Sequence, residues 1–179
     1  MTTQYGMAKV DAGLLMSLFA FTGAIVRPFG GWLADRVTGV RSLLVLLVCI
    51  SVLDFTFAAW MPPVGGGIAI LLALYLCFGL GNGSTFQLVP QRWKGKTGVM
   101  TGIIGAAGGI GGFYLPVIMG IAKDSTSSYQ MGFVTFGVLA AGAFASVVIL
   151  RHEWLEWATV TSRAAVDSDA DLEGAVHAE

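Results

Sequence analysis

The chain has 179 residues, 55% of them hydrophobic and only 12% charged, where a soluble domain carries about a quarter. With a mean hydropathy of +0.76, this excludes an ordinary water-soluble globule and points to the bilayer. The net charge of −1 hides acids crowded near the C-terminus and bases punctuating the apolar region, so it argues for no nucleic-acid partner.

The opening MTTQYGMAKVD lacks the basic start, short apolar run and small-residue cleavage site of a signal peptide, so insertion must rely on the spans. A helix crossing about 30 Å of hydrocarbon needs about 20 mostly apolar residues. Five segments qualify, at about 12–34, 42–61, 67–88, 98–122 and 131–150. The expected fold is all-α, a polytopic membrane helix bundle. The connections DRVTGVR, PPVGG, PQRWKGKT and KDSTSSYQ are short and rich in turn formers or charge, so the spans are expected to be packed neighbours. Residues 1–151 then form the membrane domain. Residues 152–179 form an acidic, disordered cytoplasmic tail whose Trp154 and Trp157 suit the interface.

Lysine and arginine mark the cytoplasmic side. Arg36 and Arg41 follow the first span, Arg92, Lys94 and Lys96 the third, and Arg151 the fifth. The opposite loops hold Lys9 beside Asp11, an uncharged MPPVGGG, and Lys123 beside Asp124. The expected topology has the N-terminus outside and the tail in the cytoplasm. An odd number of spans starting outside without a signal reads as a larger protein cut after an earlier helix.

In the first span Gly13, Ser17, Ala20, Ala24, Arg27, Gly31 and Ala34 recur at spacings of four and three, along one helix face. Small residues mark close helix approach, so Arg27 is expected to point into protein or a water-filled cavity. An arginine near a helix centre costs about 2.5–3.5 kcal/mol on insertion scales. It either snorkels to the interface, bonds a carbonyl, or binds an anion through its planar fork of donors. The loop after this span holds Asp35, which can pair with Arg36, Arg41 or a neighbouring helix.

Cys49 and Cys77 stand singly in apolar runs without metal-site spacing and are expected to be small buried hydrophobes. Asp54, in the second span, is an intramembrane acid and by default a proton-relay candidate. It lies toward the outer end, which favours a simple interfacial position. The third span brings Asn82, Ser84, Thr85 and Gln87 to its cytoplasmic part, where they can bond substrate, neighbouring helices or interfacial water. The fourth span reads GVMTGIIGAAGGIGGFYLP. Gly98, Gly102, Gly105, Gly109 and Gly112 form a stripe, with Gly108 and Gly111 beside it. Each glycine costs about 1 kcal/mol relative to alanine in an exposed helix. The stripe therefore serves tight helix packing, or bare backbone lines a narrow pathway with Phe113, Tyr114 and Pro116 shaping one end.

The segment GGWLADRVTGVR resembles the cytoplasmic loop motif of the major facilitator superfamily, which follows the second and eighth of twelve helices; Thr38 stands where many members have glycine. Together with GAIVRPFGG, GNGSTFQLVP and GIIGAAGGIGGFYLP, it makes the chain resemble the nitrate/nitrite porter branch over residues 7 to 151, helices eight to twelve of the C-terminal half. The resemblance implies a gating role for Gly31, Asp35, Arg36 and Arg41. It implies substrate contact by Arg27, Asn82, Tyr114 and the glycines 102, 105, 108, 109 and 112, with Gly105 standing where some members carry serine. It further implies secondary transport of nitrate or nitrite by alternating access across the inner membrane, completed by the missing helices or a partner chain. The alternatives are a non-transporting remnant, a partner-dependent half, or a carrier of another small anion. No enzyme activity, metal or cofactor is expected, since both histidines lie in the tail without a nucleophile or metal set.

Overall fold

The computed structural model describes residues 2–151. A short α1 (Thr2–Tyr5) precedes α2 (Lys9–Val37), α3 (Gly39–Trp60), α4 (Val64–Arg92) and α5 (Thr97–Thr126). The last helix is α6 (Gln130–Arg151). The five long helices are each long and apolar enough to cross a membrane, and no strand occurs among the described residues. Their order matches the five expected spans. The expected tail and its tryptophans lie outside the described residues.

Each helix outruns its apolar core. In hydrocarbon every backbone donor and acceptor must be satisfied within the helix, so breaking residues are absorbed rather than used as ends. Pro28, Pro90 and Pro116 all lie inside helices. Pro90, expected in a loop, is carried within α4, which continues to Arg92. The turns are correspondingly tight. Thr38 alone separates α2 from α3, with φ +81°. Met61 ends α3 in the left-handed region and donates its N–H to the Phe57 carbonyl at 3.0 Å. Ser127 ends α5 the same way, on the Lys123 carbonyl at 2.8 Å.

Two compact units divide the chain, residues 1–144 and 145–179; in the second, residues 145–151 are helical. In the first unit, α3, α4 and α6 enclose an apolar core of Ile50, Phe57, Ala58, Leu74, Phe133 and Ala140. The Phe57 and Phe133 rings stack with centroids 4.1 Å apart, and the Ser51 hydroxyl donates to the Gly137 carbonyl at 3.0 Å. Residue 51 beside 137 and 57 beside 133 make α3 and α6 antiparallel. α5 is the least covered helix, with Ala122 its one buried residue. Exposed bulky residues such as Leu14, Phe21, Ile110 and Phe113 are no liability where the solvent is lipid or another helix.

One expectation changes. Cys49 is exposed and only Cys77 is partly buried, packed against the core; an apolar run does not say which of its faces meets protein. Asp54, in the last two turns of α3, is 1% exposed, because its face of α3 carries Ile50, Phe57 and Ala58 into the core.

Candidate functional site

Among the described residues, the glycines bring backbone closest to backbone between α2 and α4. A side-chain carbon built on Gly83 would collide with the Arg27 carbonyl and lie 3.0 Å from the Gly31 nitrogen; one on Gly30 would lie 2.8 Å from the Leu80 Cα. Gly79 meets the backbone of Gly23 in the same way. Only glycine permits such approach. The Ser84 hydroxyl, fully buried, adds a bond to the Gly30 carbonyl at 3.0 Å. Residues 23, 27, 30 and 35 meet 79, 83, 84 and 87 in rising order, so α2 and α4 run parallel and Arg36 and Arg92 lie at the same end.

This contact corrects the face expected for α2. The buried residues are Ala12, Phe19, Gly23, Gly30 and Ala34, about one residue, or about 100°, around from the expected small stripe. Ala34 is common to both and Gly31 is half-buried, while Gly13, Ser17, Ala20, Ala24 and Arg27 are exposed. Backbones touch where both helices offer glycine, and α4 offers Gly79 and Gly83. That GxxxG spacing is a signal of a helix interface already present in the sequence.

Arg27 therefore packs through its carbonyl and leaves its guanidinium group outward. It lines a shallow depression of about 250 Å³ whose other walls include Ala24 of α2 and Tyr75, Phe78 and Asn82 of α4. Among the described residues the Arg27 side chain makes no hydrogen bond or ion pair. The polar group of α4 sorts itself around this point. Ser84 is committed to Gly30, Thr85 bonds back to the Gly81 carbonyl at 2.8 Å, and the Gln87 amide donates to the Asp35 carboxylate. Asn82 alone of the four lines the depression. The arrangement offers five guanidinium donors and an amide in a depression also lined by two aromatic residues, chemistry suited to a small planar anion.

In the loop motif, Asp35 takes its partner from the neighbouring helix, through Gln87, and neither basic residue of the loop is paired with it. Arg36 instead lies over the Trp32 ring, 4.3 Å from its centroid, one turn back on α2. Arg41 is exposed. Gly39 is held against Leu88, whose side chain lies 2.6 Å from where a Cβ would stand. The loop is thus fastened to the end of α4 at Asp35 and Gly39.

The glycine stripe of α5 is unlike either. Nothing lies within 4 Å of a Cβ built on Gly98, Gly102, Gly105, Gly108, Gly109, Gly111 or Gly112, and Tyr114 is exposed. The depression at Arg27 is lined by α2 and α4 alone. Of the expected substrate residues, then, the structure brings Arg27 and Asn82 together and leaves the α5 group separate and uncovered.

Known proteins agree with the motifs. The family model of the Major Facilitator Superfamily matches residues 1–167. A nitrite extrusion protein of Bacillus subtilis (strain 168) is 31% identical over 153 residues, 86% of this chain and 37% of the relative. A probable nitrate/nitrite transporter NarK2 of Mycobacterium tuberculosis (strain ATCC 25618 / H37Rv) is 38% identical over 133 residues, 73% of this chain and 34% of the relative. A probable nitrate transporter NarT of Staphylococcus haemolyticus (strain JCSC1435) is 32% identical over 147 residues, 78% and 37%. The chain spans about a third of the length of these curated relatives, whose names fit the resemblance to the nitrate/nitrite porters. With five membrane-length helices and a family match over nearly its whole length, the chain is a multi-pass membrane protein and belongs to the Major Facilitator Superfamily.

Proposed function

We propose that the chain is the C-terminal portion, helices eight to twelve, of a carrier that moves nitrate or nitrite across the cytoplasmic membrane by alternating access. The observation that carries this reading is the guanidinium of Arg27, without a hydrogen bond or ion pair among the described residues, in one depression with Asn82, Tyr75 and Phe78, on the helix pair bound together by glycine. Nitrate is planar, and a guanidinium fork can engage two of its oxygens at once. Rings and bare backbone restrict the site to small flat anions.

The uncovered stripe of α5 supports a second surface awaiting the helices absent from this chain, since alternating access needs two halves about a shared site. In this reading Gly31, Asp35, Arg36 and Arg41 form the gating loop on the cytoplasmic side, where arginine and lysine gather, and the N-terminus lies outside. The parallel course of α2 and α4, which brings their basic ends together, supports that orientation.

The test is nitrate affinity of the completed carrier with Arg27→Lys at matched folded amounts. Charge is kept and the fork is lost, so affinity is expected to fall about 10- to 100-fold, roughly 1.4–2.8 kcal/mol. If Arg27 only snorkels to water, lysine replaces it without loss. Equal affinities would remove Arg27 from the site.

A further inference from the structure

We propose that Asp54 is a proton-binding site within the membrane domain, a carboxyl sealed into the α3–α4–α6 core at the wall of an apolar cavity and held there as the neutral acid. The proposal stands whether or not the chain belongs to a nitrate carrier.

Asp54 is 1% exposed, and its Oδ2 atom is buried without a hydrogen-bond partner. It borders a partly open cavity of about 750 Å³ lined mainly by α3, α4, α5 and α6, distinct from the depression at Arg27 although Tyr75 and Phe78 line both. An ionised carboxylate in such a place needs a counter-charge or several donors, and the walls supply neither. Among the described residues no lysine, arginine or histidine lines the cavity. The titratable groups facing it are phenols: Tyr5 on α1, Tyr75 on α4 and Tyr129 just before α6. The Tyr5 hydroxyl is already donated to the Pro62 carbonyl at 2.8 Å. The Tyr129 ring lies under the Lys123 ammonium, which is 5.6 Å from its centroid. The thiol of Cys77 packs at the edge of the same core. α2 and α5 present only apolar side chains, Met16 and then Leu115, Pro116 and Met119.

A hard metal cation is a poor alternative, because it takes six or more oxygen ligands, by the rule of about 6–8 for calcium and octahedral coordination for magnesium, and one carboxyl among rings and aliphatic chains does not provide them. A proton needs only the carboxyl itself. Intramembrane acids are rare because they are expensive, and a bound proton removes the largest part of that expense while leaving a group that can give the proton up when the cavity fills with water.

The experiment is infrared spectroscopy of the 179-residue chain in lipid vesicles with carbon-13 in its aspartates alone. A protonated carboxyl shows a carbonyl stretch well separated from that of a carboxylate. Ordinary aspartates titrate near about 3.9, so at neutral pH the wild-type chain is expected to show the protonated band of one aspartate. Asp54→Asn is expected to abolish it and Asp124→Asn, at an exposed position near the end of α5, to leave it. Should Asp54→Asn fail to insert, Asp54→Glu keeps an acid at the site but moves it out of the label, and the band must again vanish. A wild-type spectrum with every aspartate ionised at neutral pH, or a band that survives both Asp54 variants, would overturn the proposal.

Discussion

Two glycine surfaces in this chain look alike as text and differ completely in space. On α2 and α4, Gly23, Gly30, Gly79 and Gly83 bring two backbones into contact, with carbonyls where side chains would be. On α5, the seven glycines between positions 98 and 112 meet nothing within 4 Å among the described residues. Glycine spacing marks a surface on which something can come close; whether anything does depends on the partner. Gly79 and Gly83 have theirs inside the chain, whereas the α5 stripe has none here, which suits a face completed by other helices or left open as a pathway.

The contrast is broken most directly by filling each surface with leucine. Gly83→Leu must drive α2 from α4, because the obstacle is the Arg27 carbonyl and the Gly31 nitrogen rather than a movable side chain. Overpacking against backbone is expected to destabilise the chain by more than about 3 kcal/mol, read as a lowered midpoint of unfolding in micelles. Unchanged stability would mean that the two backbones are not in contact.

Gly109→Leu and Gly112→Leu sharpen the other side. In the chain alone each is expected to be neutral or stabilising by up to about 1 kcal/mol, since the side chain enters open space and glycine is a poor helix former. In the completed carrier the same changes are expected to reduce transport far more than Ile110→Leu, which lies off the stripe. Normal transport by both glycine variants, measured as nitrate uptake into vesicles, would leave the stripe without either a packed partner or a pathway.

What the sequence discloses follows from how hydrocarbon selects residues. All five spans are legible in order, because crossing a bilayer demands long apolar runs and nothing else in the chain supplies them. Their ends are less so: Pro90 looks like a terminator, yet the helix continues through it to Arg92. The face of each helix is harder still, since lipid and protein neighbours both accept apolar side chains. The small stripe through Arg27 therefore lies about one residue from the face that packs. Asn82 and Arg27 were legible as candidates, but their adjacency depends on the parallel course of α2 and α4. So does the use of Ser84 and Gln87 as fasteners, which single out Asn82 among the polar residues near it.

The smallest expected effect concerns the one-residue turn that sets α2 and α3 at their angle. Thr38 adopts φ +81° and ψ 132°, a region that L residues with a Cβ occupy at a cost of about 1–3 kcal/mol, and it stands where many members of the superfamily carry glycine. Thr38→Gly should release that strain. The gain is partly offset by the greater freedom of glycine in the unfolded chain, about 0.5–1 kcal/mol, so a net stabilisation of about 1 kcal/mol is expected. The backbone bond from the Ser42 N–H to the residue 38 carbonyl, at 3.1 Å, is independent of the side chain and survives the change. Thr38→Ala is the control, because alanine keeps the Cβ that the conformation disfavours and loses only the hydroxyl and methyl. Unfolding midpoints in micelles should therefore rise for glycine and not for alanine. Equal midpoints for the two variants would show that the turn stores no backbone strain at Thr38.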